Sequence, residues 1–97
     1  MNNTALKSKP TQLAPTADAI ASWLSQRIAK AMEILPSQVD PDITFDRYGL
    51  DSMESVSVTN DLSDELGLEE LPPTLLYDYP TINQLSTYLV DAARSNH

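Results

Sequence analysis

This sequence predicts an all-α fold: a small four-helix bundle of three longer helices and one short one. Three observations carry that expectation. Apolar residues recur at helical spacing in three separate stretches. A capping side chain, Thr16, Asp51 or Thr81, stands at the head of each. Gly49, Gly67 and the prolines fall between the stretches and not inside them. A chain of 97 residues supports one compact core. It buries little surface, so a few kcal/mol decide whether it folds.

Residues 1–16 hold Lys7, Lys9 and two prolines, with no acid and few apolar groups, and read as a flexible N-terminal tail. The first helix is expected after Pro15, capped by Thr16. Ala17, Ile20, Leu24, Ile28, Ala31 and Leu35 lie on one arc, with Trp23 and Ile34 beside it, and Pro36 stops the helix. The connection 36–50 contains Val39, Ile43, Phe45, Tyr48 and Leu50, too apolar for a free linker, and is expected to lie over the core. The second helix opens at Asp51-Ser52-Met53-Glu54, a variant of the capping box, and runs from there to Leu66 and Gly67. Leu71-Pro72-Pro73-Thr74-Leu75-Leu76-Tyr77 suits a turn or two of helix before Pro80. The last helix begins at Thr81-Ile82-Asn83-Gln84 and buries Ile82, Leu85, Leu89 and Ala92, with Tyr88 alongside. The domain is therefore expected over 17–93, with 94–97 as a C-terminal tail.

Composition excludes several classes of function. Without cysteine there is neither a disulfide framework nor a thiolate metal site, and the one histidine is the last residue, His97. No catalytic residue and no metal site are expected. Fourteen acids against six bases give a formal charge of −8, which disfavours nucleic acid and anionic membrane surfaces. The longest apolar run is a few residues, too short to span a bilayer or to act as a secretory signal. A cytoplasmic monomer is the expectation. From Asp40 to Asp78 eleven acids stand against one base, Arg47.

The second helix divides into two faces. Ser55, Val58, Thr59, Leu62 and Leu66 share the core arc. Met53 and Val56 point the opposite way, beside Glu54, Ser57, Asn60, Asp61 and Asp64, as a docking surface for a basic partner with a small apolar socket would. Two exposed apolar side chains are also ordinary on any protein. Ser52 falls in the first helical turn, near unpaired amides and the positive end of the dipole, where a phosphate is well tolerated. No general base is supplied for a nucleophile, and the second glycine of a nucleophile elbow is missing. On these residues alone, Asp51 and Ser52 are equally well an ordinary helix start.

Gly49-Leu50-Asp51-Ser52-Met53 resembles the attachment motif of acyl and peptidyl carrier proteins. Leu71-Pro72-Pro73-Thr74-Leu75-Leu76-Tyr77-Asp78-Tyr79-Pro80-Thr81 resembles the segment that follows the second helix in carrier domains of polyketide-synthase type. The two motifs stand at family spacing, and the similarity covers roughly residues 17–93. The resemblance implies a four-helix bundle of the acyl carrier type. It implies a 4′-phosphopantetheine arm attached at Ser52, whose thiol carries acyl groups as thioesters. Asp51 would help a phosphopantetheinyl transferase position coenzyme A and its metal, while Met53, Glu54, Val56, Ser57, Asn60, Asp61 and Asp64 would meet partner enzymes. Met53 replaces the usual Leu, and Ser57 stands where many carriers have an acid, which points away from partners of the ordinary fatty-acid pathway. Residues 48–62 and 73–81 resemble carriers served by a fatty acyl-AMP ligase. A standalone carrier loaded by a separate acyl-activating ligase, and then serving a ketosynthase or tailoring enzymes, is the implied role.

Two other readings compete. One is an acidic helical adaptor that uses the same face without a prosthetic group. The other is a calcium loop: Asp40, Asp42, Thr44, Asp46 and Asp51 have the alternation, but Phe45 occupies the glycine position and Asp51 is short for a bidentate ligand. Trp23, Phe45, Tyr77, Tyr79 and Tyr88 are expected in or at the edge of the core.

Overall fold

The computed structural model describes residues 15–69 and 71–95. Most of the expected N-terminal tail and the last two residues of the expected C-terminal one therefore lie outside the described residues. Among those described, four α-helices occur: α1 (Ala17–Met32), α2 (Ser52–Leu66), α3 (Leu75–Asp78) and α4 (Ile82–Ser95). The predicted three long helices and one short helix are all present. No strand forms among the described residues, only an isolated antiparallel bridge between Thr44 and Thr81.

Each of the three longer helices begins where a side chain can satisfy a free amide. Thr16 Oγ1 accepts from the Ala19 amide, Asp51 Oδ1 from Glu54, and Thr81 Oγ1 from Gln84. At its other end α2 stops at Gly67, whose φ of 65° sits in the left-handed region, and Leu68 folds back into the core behind it. The core is one cluster of apolar side chains: Ile20, Leu24 and Ile28 from α1, Val58, Leu62 and Leu66 from α2, Leu75 and Leu76 from α3, and Ile82, Leu85 and Leu89 from α4. Burying each side chain of this size contributes about 1.5–3 kcal/mol. Helix α1 lies along α4, and α2 closes over the pair.

The first helix ends earlier than its apolar arc implies. It stops at Met32, and Glu33 turns the chain at φ 60° while its amide and that of Ile34 both bond to Ala29 O. Pro36 is the cause: it holds Leu35 in extended backbone, so the helix must close before that residue. Leu35 consequently faces solvent at 64% exposure and is no part of the core; Ala17 is exposed as well.

The connection 36–50 does lie over the core, with Val39, Phe45 and Leu50 buried. It contains two single 3-10 turns, Pro36–Gln38 and Phe45–Tyr48, and Gly49 at φ 82° reverses the chain into α2. Three bonds fasten it to the head of α4. The Phe45 amide donates to Pro80 O at 2.8 Å, the Asn83 amide to Pro41 O at 3.2 Å, and Asn83 Nδ2 to Asp42 Oδ1 at 2.6 Å. Two of the acids of the calcium pattern are occupied here, since Asp40 Oδ1 accepts from the Asp42 amide. This bracing fixes where α2 starts, and so where Ser52 stands.

Candidate functional site

Ser52 is the first residue of α2 and is exposed. Its position follows from Gly49, which turns the chain, and from Asp51, which caps the helix. Asp51 uses Oδ1 for the Glu54 amide at 2.9 Å, and its backbone oxygen takes the Ser55 amide at 2.9 Å. The amides of Ser52 and Met53, earlier in the same turn, have no intrahelical partner. A tetrahedral anion esterified to Ser52 Oγ would sit beside these two donors and the positive end of the α2 dipole. A phosphate ester therefore fits the position.

Tyr77 adds a neighbour that sequence reasoning did not provide. Its hydroxyl lies 3.4 Å from Ser52 Oγ, a long and weak contact in which either oxygen can donate. Tyr77 was expected at the core edge, but it is 58% exposed. The single turn of α3 already buries Leu75 and Leu76, and consecutive helical positions cannot all face inward, so the next side chain is turned outward over Ser52. Of the other aromatics in that expectation, Phe45 is buried, Trp23 is half-buried, and Tyr79 and Tyr88 stack with ring centroids 4.2 Å apart at the core edge.

The two faces of α2 separate as the periodicity predicts. Ser55, Val58, Thr59, Leu62 and Leu66 are buried, and Thr59 Oγ1 donates back to Ser55 O at 2.8 Å. Met53 is 82% exposed and Val56 38%. Together with Ser52, Ser57, Asn60 and Asp61 they line a shallow open groove that begins at Ser52. Glu54 stands on the other flank of Met53, facing Asp51 and Ser57. Asp64 is exposed one turn further along the helix and does not border the groove.

Arg27 of α1 is the second residue that the sequence did not flag. Its Nε donates to Asp61 Oδ2 at 3.0 Å, its Nη2 to Ser57 Oγ at 3.0 Å, and its Nη1 lies 3.8 Å from Glu54 Oε1. One guanidinium thus serves three of the seven expected docking positions. It also changes the cap of α2. Glu54 turns toward Arg27, so the capping box is made in one direction only, by Asp51. The available signal was a cation between Leu24 and Ile28, beside a buried stripe, where a charge needs a partner on the facing helix.

Comparison with known proteins bears on these residues. The family model described as a phosphopantetheine attachment site matches residues 22–89. Over 56 residues the chain is 45% identical to the mycoketide-CoA synthase of Mycobacterium tuberculosis, covering 58% of the chain and 1% of that protein. Over 72 residues it is 33% identical to the polyketide synthase PksN of Bacillus subtilis, covering 74% of the chain and 1% of that protein. The chain thus spans only a small fraction of the curated relatives it matches. Among solved structures, a free-standing peptidyl carrier protein from an Acinetobacter baumannii secondary metabolic pathway is 44% identical. It superposes with a TM-score of 0.75, over 81% of this chain and 98% of that one. An acyl carrier protein from Anabaena with a variant phosphopantetheinylation-site sequence gives a TM-score of 0.77 at 32% identity, over 90% of this chain and 99% of that one.

Proposed function

This chain belongs to the phosphopantetheine attachment-site family, and from that premise we propose that it is an acyl carrier protein of polyketide type, modified at Ser52. The observation that carries the reading is the exposed Ser52 hydroxyl at the capped start of α2, beside two free amides and the Tyr77 hydroxyl. The bound arm supplies a terminal thiol on which acyl groups travel as thioesters. The protein's own part is to present the serine and to be recognised. It supplies no base at the hydroxyl: the side chain beside Ser52 Oγ is the Tyr77 hydroxyl, so the proton leaving Ser52 is taken by the partner. The second Asp51 oxygen is left for the metal and coenzyme A that a phosphopantetheinyl transferase brings.

Further partners follow from the same reading. An acyl-activating ligase, of the fatty acyl-AMP kind, loads the arm, and a ketosynthase or tailoring enzymes consume the acyl group. These meet the face built by Met53, Glu54, Val56, Ser57, Asn60, Asp61 and Asp64, close to the arm they act on. Among the described residues no helix is long and apolar enough to cross a membrane. A cytoplasmic, monomeric, non-catalytic carrier over residues 17–93 completes the proposal.

Intact mass tests it. Incubation with coenzyme A, magnesium and a broad-specificity transferase should add one phosphopantetheine to the wild type and none to Ser52→Ala. A folded sample that gains nothing, beside an active control carrier, would leave the acidic adaptor as the better reading.

A further inference from the structure

The Arg27 guanidinium lies in the seam between α1 and α2, with its side chain 19% exposed, and makes both ion pairs found among the described residues. Its planar fork is committed in three directions, to Asp61, Ser57 and Glu54. Glu54 Oε1 is buried without a hydrogen-bond partner, so Arg27 is the charge that compensates it. Two carboxylates of the docking face are therefore already answered from within the molecule. What stays open between them is the groove floor of Met53, Val56 and Asn60, leading to Ser52.

This arrangement discriminates between visitors. A lysine or arginine entering the groove finds Ser57 and Asp61 on its wall already bonded to Arg27 and must compete with that half-buried, doubly hydrogen-bonded guanidinium. An apolar side chain meets Met53 and Val56 and has no charge to desolvate. The chain's overall acidity still draws basic proteins from a distance, but only over about a Debye length, so selection falls to the contact.

We infer that Arg27 is a specificity-determining residue: it pairs with Glu54 and Asp61, whose side chains stay 43% and 47% exposed, lowers the negative charge this face offers, and so selects, as occupant of this groove, a transferase that docks through an apolar side chain and not through a basic cluster. The inference rests on Ser52 being the attachment residue and deepens that reading by giving the chemistry of the partner.

The test measures kcat/KM for modification of the full chain by two transferases, one with an apolar carrier-binding surface and one with a basic surface. Wild type should favour the apolar-surfaced enzyme. Arg27→Met keeps the aliphatic stem but releases both carboxylates. It should raise kcat/KM with the basic-surfaced enzyme by about tenfold at low salt, a gain that disappears as salt is added. Arg27→Lys retains the charge but not the fork and should fall between wild type and Arg27→Met. An unchanged preference in folded Arg27→Met, or Arg27→Lys moving as far as Arg27→Met, would overturn the inference. Asp61→Asn reads the same point from the other side if Arg27→Met does not fold. It leaves Arg27 with one acid fewer and should slow the basic-surfaced enzyme about threefold; no slowing overturns the inference. Loss of modification in every variant and in wild type, with both enzymes active on a control carrier, would instead sink the Ser52 reading and this inference with it.

Discussion

Asp51 holds two jobs that substitution can separate. Its Oδ1 caps α2 through the Glu54 amide at 2.9 Å, while its charge faces the helix dipole and, in the proposed function, a metal. Asp51→Ala removes both. Losing the cap costs about 1 kcal/mol, and losing a negative charge at a helix N-terminus costs a further ~0.3–1 kcal/mol. For a domain of this size each kcal/mol moves the melting temperature by about 4–8 °C, so Asp51→Ala should melt roughly 5–15 °C below wild type. Asp51→Asn keeps an oxygen in the capping position and loses only the charge, so its melting point should fall by about 1–8 °C, and by less than that of Asp51→Ala. Modification should respond differently. Both variants lose the carboxylate, so both should be modified slowly, by about tenfold or more if the carboxylate helps hold the metal. Thermal melts by circular dichroism, paired with intact-mass time courses at 25 °C or below, separate the two jobs. Equal destabilisation by Asn and Ala would refute the capping argument. Wild-type modification of Asp51→Asn would refute the charge argument.

Other substitutions probe features that the structure singles out. Glu33 holds a left-handed conformation that costs a side-chain-bearing residue about 1 kcal/mol, so Glu33→Gly should raise the melting temperature by several degrees. Ser86 is buried in α4 and its Oγ has no partner, so Ser86→Ala should stabilise by about 1 kcal/mol in denaturant titration; a loss would show that the hydroxyl is satisfied. Leu24→Ala empties a fully buried site and should cost about 2–5 kcal/mol, enough to leave the domain partly unfolded at 37 °C. Val56→Arg places a cation on the apolar lining of the groove and should slow modification by an apolar-surfaced transferase with the melting point unchanged within about 2 °C.

The fold was legible wherever a local rule had no competitor. Thr16, Asp51 and Thr81 cap as their spacing implies, and the buried face of α2 follows from helical periodicity alone. Leu35 was misplaced because periodicity extends an arc without knowing that Pro36 already dictates the backbone before it. The place of Ser52, exposed in the first turn of α2, followed from the cap at Asp51. Arg27 and Tyr77 were not legible, for a physical reason. Each acts across a gap between elements, from α1 to α2 and from α3 to α2, and linear spacing carries no information about which side chains meet across such a gap.

The bonds between the 36–50 connection and the head of α4 have a mechanical meaning. The segment from Phe45 to Pro80, which carries the serine and the tyrosine above it, is closed at its ends by the Phe45–Pro80 bond, and between them its apolar side chains pack on α1 and α4. Such a segment behaves as a leaf on a stem, with the paired α1 and α4 as the branch. Opening the leaf would break the shared core and the Arg27 pairs but none of the three bonds at the stem. Hydrogen exchange would register this as the amides of α2 and α3 opening together, ahead of those in α1.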